Sequence, residues 1–202
     1  MLVDAMSSDN PDTRTRILQA ALDLLETHQG KGVRMTDIAK RANLTRQAVY
    51  LHFSNRSELL IAVTHYMDGL KGSDARLAAS RSAETGIERL DAFIEAWGGY
   101  IPDIYGVAKA LLAMRDTDEE AATAWDKRML DMREGCEAAI NALMADGNLR
   151  SEHSAEHATD ILWTMLSVRN WEHMTIACGW SQADYIATQK AMARRLFVTD
   201  GA

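Results

Sequence analysis

Apolar residues recur through most of this chain at the three- and four-residue spacing of an amphipathic α-helix. No segment alternates convincingly between apolar and polar residues, as a half-buried strand would. The pattern therefore predicts an all-α protein. Its N-terminal helices are predicted to begin at Thr13, with a stop before Gly30, and then at Asp37, at Arg46 and just after Asn55.

Longer helices are predicted in the later part of the chain. Residues 69–85 are small and polar and are expected to form a frayed helix end with a loop. Pro102 lies inside an apolar stripe and is expected to break it, since proline removes a helical hydrogen bond. The other stripes predict helices over residues 87–101, 104–114, 122–143 (ended by Gly147), 155–177 and 182–198.

Two short helices joined by a tight turn are predicted around Asn43. Thr36 and Thr45 are each expected to cap one of them, because a threonine hydroxyl accepts a hydrogen bond from an N–H of the first turn. Asn43 tolerates a left-handed backbone, which turns the chain sharply. These features predict a helix-turn-helix. Glu58, three residues after Asn55, is positioned to close a capping box on the next helix.

The distribution of charge changes this picture more than the bulk composition does. With 47% hydrophobic and 25% charged residues, the composition is that of an ordinary folded protein. The net charge is −7, yet residues 31–60 contain six basic and two acidic residues, a local charge of +4. A compact cationic segment in an acidic chain favours a polyanionic partner met by one end of the molecule.

The sequence gives little indication of a membrane segment, a disulfide or a metal site. No apolar stretch approaches the roughly 20 residues that span a bilayer, and residues 1–6 lack the basic flank of a signal peptide, so we expect a cytoplasmic protein with no membrane partner. Cys136 and Cys178 lack CxxC spacing and are expected to be reduced. His153 and His157 lack the HExxH arrangement. We expect no metal and no cofactor.

The segment from Thr36 to Leu60 resembles the DNA-binding signature of the TetR family of transcriptional regulators. Two positions depart from the signature: Asn43 stands where glycine is usual, and Arg56 where lysine is commoner. The resemblance rests on the Ile38-Ala39 pair, the turn, the Tyr50-x-His52-Phe53 end of the second short helix, and the Arg56-x-Glu58-Leu59 start of the next.

This resemblance implies a domain organisation and a function. After a disordered tail at residues 1–12, we expect a three-helix helix-turn-helix DNA-binding domain at 13–65 and a larger helical ligand-binding and dimerisation domain at 66–202. The implied protein is a homodimeric repressor, not an enzyme. It binds a palindromic operator in double-stranded DNA and is released by a small apolar or aromatic effector.

Candidate DNA contacts follow from the geometry of a recognition helix, whose N-terminal residues lie near base edges in the major groove. Arg46 and Gln47 suit guanine and adenine, and Ala48 suits a thymine methyl group. Lys40 and Arg41 are interpreted as a solvated helix face. The resemblance assigns phosphate contacts to Thr36, Thr45, Tyr50, His52 and Arg56.

Aromatic and sulfur-containing residues concentrate after residue 93. Core packing accounts for most of them, but pockets between helices are lined by the same residue types. A second feature is the pair of apolar stripes on residues 155–177, one of which is free to face a partner subunit. The effector candidates are Trp97, Tyr105, Met114, Trp125, Met129 and Trp163, and the dimer candidates are Leu166, Asn170 and Met174.

Two alternatives remain open from the sequence. One is a helical enzyme that binds a small molecule, and the other is a constitutive DNA-binding protein without an effector. DNA binding separates the regulator from the enzyme, and an effect of ligand on DNA affinity separates it from the constitutive protein.

Overall fold

A computed structural model describes residues 12–28 and 33–201, which form ten α-helices and one isolated antiparallel bridge between Leu149 and Val198. The all-α prediction is confirmed. The predicted tail, apart from Asp12, and the predicted stop at Gly30 lie outside the described residues. The helices are α1 Thr13–His28, α2 Met35–Arg41, α3 Arg46–Tyr50, α4 Arg56–Lys71, α5 Ser73–Arg81, α6 Gly86–Met114, α7 Glu119–Ala145, α8 Ala155–Met165, α9 Val168–Trp171 and α10 Gln182–Phe197.

Helices α2 and α3 form the predicted helix-turn-helix. Asn43 has a φ of 56°, the only positive value at a non-glycine position in the described parts of the chain. Its left-handed backbone makes the turn, as the sequence predicted. Thr45 caps α3, since its Oγ1 accepts a hydrogen bond from the N–H of Ala48 at 3.1 Å.

The predicted cap at Thr36 is wrong. Helix α2 begins one residue earlier, at Met35, and the residue before it, Arg34, makes no side-chain capping bond. Met35 is buried together with Ile38 and Ala39, which are three and four residues further on. The apolar stripe therefore begins at Met35, and its burial outweighs the capping preference of threonine.

The start of α4 has a cap that differs in one bond from the predicted box. The Asn55 side chain accepts a hydrogen bond from the N–H of Glu58 at 2.8 Å. The Glu58 carboxylate returns not to Asn55 but to Ser54, accepting from its N–H at 2.8 Å and from its hydroxyl at 2.6 Å. These bonds lower the pKa of Glu58, so the carboxylate stays charged at the N-terminus of α4.

The segment predicted as a frayed end with a loop is instead helical. Helix α4 continues to Lys71, Gly72 turns the chain with a φ of 66°, and α5 follows at once. The small polar residues gave no clear apolar stripe, but α5 packs along α6 and is stabilised there. Tertiary contact has overridden weak local preference.

The predicted break at Pro102 is also wrong, because α6 runs through it from Gly86 to Met114. A proline at this position leaves the carbonyl oxygen of Gly98 without its helical N–H donor. Gln182 of α10 supplies the missing bond, donating from Nε2 to the Gly98 oxygen at 2.6 Å. A side chain distant in sequence thus replaces the lost helical hydrogen bond.

The single helix predicted over residues 155–177 is interrupted. Helix α8 ends at Met165, and Ser167 caps α9 by accepting from the N–H of Asn170 at 3.2 Å. Trp97 fixes the break, since its indole N–H donates to the Leu166 carbonyl at 2.8 Å. Beyond α9 the chain continues as a π-helical segment, Glu172–Ala177, before Gly179 turns it towards α10.

Buried apolar side chains of the N-terminal helices and of the larger helical body form one continuous core. Helix α4 runs across the proposed boundary at residue 65 and packs on both α1 and α7. It therefore belongs to both parts of the molecule. Across the two described ranges, no helix combines the length and apolar character that crossing a membrane requires.

Candidate DNA-binding surface and internal cavity

Helix α3 is anchored from one side and exposed on the other. Val49 and Phe53 are buried in the core and hold the helix in place. Thr45, Arg46 and Gln47, at its N-terminal end, are exposed. This arrangement presents the residues predicted to read DNA bases at the surface of the molecule.

Arg46 is held by an aromatic neighbour on its own helix. Its guanidinium lies 5.3 Å from the centre of the Tyr50 ring, and its Nη2 is 3.3 Å from the Tyr50 hydroxyl oxygen. The side chain is therefore partly ordered before any partner arrives, which reduces the entropy lost on binding.

The remaining predicted phosphate contacts on this surface are accessible. Thr36 and Thr45 line the same depression as Arg46, between the start of α2 and the turn. His52 is exposed just beyond α3, and Ala48 is half-buried. The Thr45 oxygen accepts from the backbone, so its hydroxyl hydrogen is free to donate to a phosphate.

Arg56 is placed differently from the sequence-based expectation. Its guanidinium is only 10% exposed and lies between Val33, just before α2, and Asp118 at the start of α7. Nη1 bonds both carboxylate oxygens of Asp118, at 2.9 and 2.6 Å, and Nε donates to the Val33 carbonyl. Glu120 lies 3.7 Å from the same Nη1. We call Arg56, Val33, Asp118 and Glu120 the Arg56 ion-pair cluster.

This cluster takes Arg56 out of the set of free phosphate donors. The side chain is enclosed and its nitrogens already have acceptors, so a phosphate contact requires the cluster to open. The sequence showed only an arginine at the start of a helix. Its partners Asp118 and Glu120 follow it by more than sixty residues and could not be paired with it from spacing alone.

Two surface residues were not singled out from the sequence. Leu51 is 82% exposed immediately after α3, although leucines at helical spacing are usually interpreted as core. Arg34 is exposed and lines the same groove as Arg46 and Tyr50. A signal for Leu51 existed in the motif itself, since it stands between Tyr50 and His52.

The solvated-face interpretation of Lys40 and Arg41 agrees with their exposure. Arg41 pairs with Asp23 of α1 at 2.7 Å, an exposed pair of small energetic weight. Arg41 is thus paired with a residue of α1 rather than of α3.

A half-open cavity of about 110 Å³ lies between α5, α6 and α7. Aromatic rings and a methionine form most of its wall, and charged side chains complete it. We call it the α5–α7 cavity. Its lining residues are Ser73, Arg76, Leu77, Phe93, Ala96, Trp97, Tyr100, Arg128, Asp131, Met132 and Gly135.

Of the six effector candidates, the structure brings Trp97 to this cavity. Tyr105 lies elsewhere, donating its hydroxyl to Glu172, with its ring 5.0 Å from that of Trp171. Met114 approaches the Arg56 guanidinium, with its Sδ 3.7 Å from Nη2. The other three, Trp125, Met129 and Trp163, pack in or against the core and are not lining residues of the cavity.

Tyr100 and Arg128, which the sequence analysis did not select, share one carboxylate beside the cavity. Arg128 forms an ion pair with Asp68 of α4 at 2.9 Å, and the Tyr100 hydroxyl donates to the same carboxylate. Burial, together with this hydrogen bond, raises the pKa of Tyr100 well above its usual value. The Tyr100 hydroxyl therefore stays protonated across the physiological range and donates its hydrogen bond to Asp68.

The dimer candidates separate into different environments. Leu166 is 0% exposed and packs inside its own subunit, whereas Asn170 is exposed and Met174 half-buried. Large apolar residues stand in solvent near Met174 and on α10. We call this the C-terminal apolar face: Ile176, Trp180, Met192 and Leu196, exposed by 56%, 41%, 41% and 37%.

A helix-turn-helix that exposes the start of its second helix, carried on a larger helical body, defines a DNA-binding transcriptional regulator. Comparison with known proteins gives the same class. Residues 17–63 match the family described as bacterial regulatory proteins, tetR family. The HTH-type transcriptional regulator TtgR of Pseudomonas putida is 23% identical over 181 residues, covering 84% of this chain and 85% of that protein. Residues 17–63 of this chain therefore resemble the N-terminal unit of the TetR family of transcriptional regulators.

Solved structures share the fold along nearly the whole chain. NalD, the secondary repressor of the MexAB-OprM multidrug efflux pump in Pseudomonas aeruginosa, has a TM-score of 0.67 at 20% identity and covers 94% of this chain and 98% of its own. A transcriptional regulator from Saccharomonospora viridis in complex with choline has a TM-score of 0.69 at 17% identity, covering 92% and 97%. At these identities the likeness concerns the fold alone.

The matched family is one of bacterial regulatory proteins, and TtgR is a transcriptional regulator, so neither comparison describes an enzyme. In residues 12–28 and 33–201, no group of three histidine, cysteine or acidic side chains is arranged to hold a metal ion. Cys136 is buried, and burial raises the pKa of its thiol, whereas Cys178 is exposed; neither forms a disulfide in the described structure.

Proposed function

We propose that this protein is a ligand-responsive repressor, a dimer that binds a palindromic operator and is released by a small apolar or aromatic effector. The observation that carries the DNA-binding half is the exposed N-terminal end of α3, with Arg46 ordered over Tyr50 and the helix anchored by buried Val49 and Phe53. The effector half is supported by the α5–α7 cavity, whose wall is mostly aromatic and aliphatic.

The α3 residues take different roles in this proposal. Arg46 and Gln47 hydrogen-bond base edges, and Ala48 contacts a thymine methyl group. The proposal adds Leu51, whose exposed side chain is suited to apolar contact in the groove. Contacts to phosphates come from Thr36, Thr45, Tyr50 and His52.

The proposal includes a dimer because two recognition helices about 34–36 Å apart match successive major grooves of a palindrome. The C-terminal apolar face supplies a surface for a second subunit. It contains a tryptophan and a methionine, residue types that are enriched at interfaces, together with an isoleucine and a leucine. Asn170 and Met174, predicted at the interface from the sequence, belong to the neighbouring α9 and π-helical segment.

Repression, rather than activation, and the binding of an effector are supported by analogy with proteins of the same fold. NalD is described as a repressor, and the Saccharomonospora viridis regulator was solved with choline bound. An effector bound to the body releases DNA if it favours a dimer geometry in which the two α3 helices no longer match the operator. A constitutive DNA-binding protein remains the second candidate.

The proposed function is tested by release of operator DNA. Fragments that bind the purified protein most tightly are selected and sequenced, and their affinity is then measured with and without aromatic ligands. We expect a palindromic consensus and a ligand that weakens operator binding by about 5–150-fold, with DNA weakening ligand binding by the same factor. Tight ligands that leave operator affinity unchanged identify the constitutive protein instead.

Replacement of Arg46 or Gln47 by alanine is expected to relax operator selectivity, costing about 1–3 kcal/mol of discrimination for each lost bidentate base contact. Binding to operator and to unrelated DNA is measured by fluorescence anisotropy at one salt concentration. Lys71→Ala serves as the control, because it removes an exposed cation at the other end of the 16-residue helix α4. Full selectivity in both α3 variants would remove the base-reading assignment.

A further inference from the structure

We infer that the α5–α7 cavity takes an uncharged, single-ring ligand that carries one hydrogen-bond acceptor, and that Arg128 Nε is the donor that recognises it. This inference deepens the effector half of the proposed function and depends on it only for the consequence of binding. Three features of the cavity carry the argument: its size, the pairing of its charges, and one unpartnered donor.

Size restricts the ligand. Pockets for drug-sized molecules are roughly 300–1,000 Å³, and a dry apolar cavity of roughly 150 Å³ in another protein holds benzene. At about 110 Å³ and half-open, the α5–α7 cavity accommodates one ring with small adjustments. Phe93, Trp97 and Met132 supply the apolar wall, which suits an aromatic ring.

The pairing of charges in the wall favours a neutral ligand. Each charged side chain of the wall already has a partner of opposite sign. Arg128 pairs with Asp68 at 2.9 Å, and Arg76 pairs with Asp103 at 2.6 Å. Asp131 pairs with Lys127 one turn away on α7. The carboxylate of a ligand would face the anions of these pairs and find no free cation. The ammonium group of a ligand would face their cations and find no free anion.

One buried donor remains without an acceptor. The Trp97 indole N–H donates to the Leu166 carbonyl at 2.8 Å, and the Tyr100 hydroxyl donates to Asp68. Arg128 uses its two Nη atoms on the same Asp68 carboxylate. Its Nε is buried and has no hydrogen-bond partner among the described residues. A buried unpaired donor is costly, so an acceptor is expected to occupy this position.

The guanidinium lies beside the aromatic wall of the cavity. Its carbon lies 5.8 Å from the centre of the Trp97 ring, and Arg128 is itself a lining residue of the cavity. Asp68 holds both Nη atoms, so the guanidinium is held in place before the ligand binds. A ketone, ester or ether oxygen beside an aromatic ring satisfies this donor without adding charge.

The test compares four probes of nine heavy atoms each: acetophenone, cumene, benzoate and benzamidine. Cumene replaces the carbonyl oxygen of acetophenone by a methyl group, and the other two probes carry a negative and a positive charge. Binding to the full chain is measured without DNA, by tryptophan fluorescence and thermal shift. We expect acetophenone to bind at least about 10-fold more tightly than cumene, the factor of one hydrogen bond to a charged donor, and more tightly than either ion.

Two variants locate the effect. Arg128→Lys keeps a cation for Asp68 but removes Nε, so the preference for acetophenone over cumene is expected to fall below about 3-fold. Gly135→Ala places a Cβ 2.5 Å from Phe93 Cε2, so this ring of the cavity wall must shift, and binding of both probes is expected to weaken alike. Gly69→Ala is the matched control, because its Cβ meets nothing within 4 Å. Circular dichroism confirms that each variant is folded.

Each contrary result has a distinct meaning. Equal binding of cumene and acetophenone overturns the role of Nε, tighter binding of benzoate overturns neutrality, and failure of all four probes at millimolar concentration overturns the cavity as a ligand site. If the expected order holds but no probe changes operator affinity, the inference stands and the ligand-responsive function fails.

Discussion

Replacing Arg56 by alanine is expected to lower the free energy of unfolding by about 2–4 kcal/mol. Breaking a buried ion pair by removing one partner costs roughly 3–5 kcal/mol, and the lower range applies because Asp118 keeps 25% of its side-chain surface in solvent. The variant leaves the Asp118 carboxylate and the Val33 carbonyl without their partner. Urea denaturation monitored by circular dichroism measures the loss.

The same variant distinguishes a structural role of Arg56 from a phosphate contact. A phosphate contact contributes about one unit to the slope of log affinity against log salt. We expect Arg56→Ala to leave that slope unchanged under conditions in which the variant is folded. Unchanged stability together with a shallower slope would restore the phosphate assignment made from the sequence.

A double-mutant cycle isolates the ion pair. Asp118 also caps α7 by accepting from the N–H of Ala121 at 3.1 Å, so Asp118→Asn is the appropriate partner variant. Asparagine retains a capping oxygen and removes the charge. The effects of Arg56→Ala and Asp118→Asn are expected to be strongly non-additive, because each removes the same interaction. Additive effects contradict the cluster as the cause of the destabilisation.

Replacement by aspartate is expected to unfold the subunit at Leu166 but to leave its fold intact at Ile176. Leu166 is 0% exposed, so Leu166→Asp places a charge in the core and is expected to cost more than about 4 kcal/mol, enough to unfold a marginally stable subunit. Leu166→Met conserves volume and is expected to cost less than about 1.5 kcal/mol. Thermal unfolding of the purified variants measures both losses.

Ile176 is 56% exposed in the subunit, so Ile176→Asp leaves the fold of the subunit intact. If the C-terminal apolar face joins two subunits, the buried charge weakens the dimer by at least about 2 kcal/mol, roughly 30-fold. Sedimentation equilibrium over a micromolar concentration series measures this. Leu130→Asp is the matched control, since Leu130 is 49% exposed on α7, outside this face. A wild-type monomer at these concentrations contradicts the dimer altogether.

Local sequence signals succeeded where one residue or a short stripe decides the backbone. Asn43 made the turn and Thr45 capped α3, because each acts through its own backbone or that of the next turn. Thr36 failed as a cap because burial of Met35 moved the start of α2. The failure shows the order of magnitudes: extending a buried stripe by one large side chain outweighs a single capping bond.

The residues of the candidate sites also divide into those that the local sequence predicted and those that it did not. Exposure of Arg46 and Gln47 followed from the motif, because the N-terminal residues of a recognition helix lie near base edges. The effector residues could not be predicted in this way, because a tryptophan or methionine on an apolar stripe gives the same sequence pattern whether it faces a cavity or the core. Trp97 was selected for its residue type, whereas Arg128 and Tyr100 become relevant only through Asp68 on another helix.

By itself the sequence determined the helical class, the helix-turn-helix and the surface that this unit presents, because these depend on contacts between residues a few positions apart. Only the tertiary structure decided that α6 passes through Pro102, that the chain breaks at Leu166 and that Arg56 is enclosed. In each case the deciding group is far away in sequence: Gln182 bonds the free carbonyl of Gly98, Trp97 holds the Leu166 carbonyl, and Asp118 pairs with Arg56. Periodicity and local propensity contain no information about which distant side chain will satisfy a given polar group.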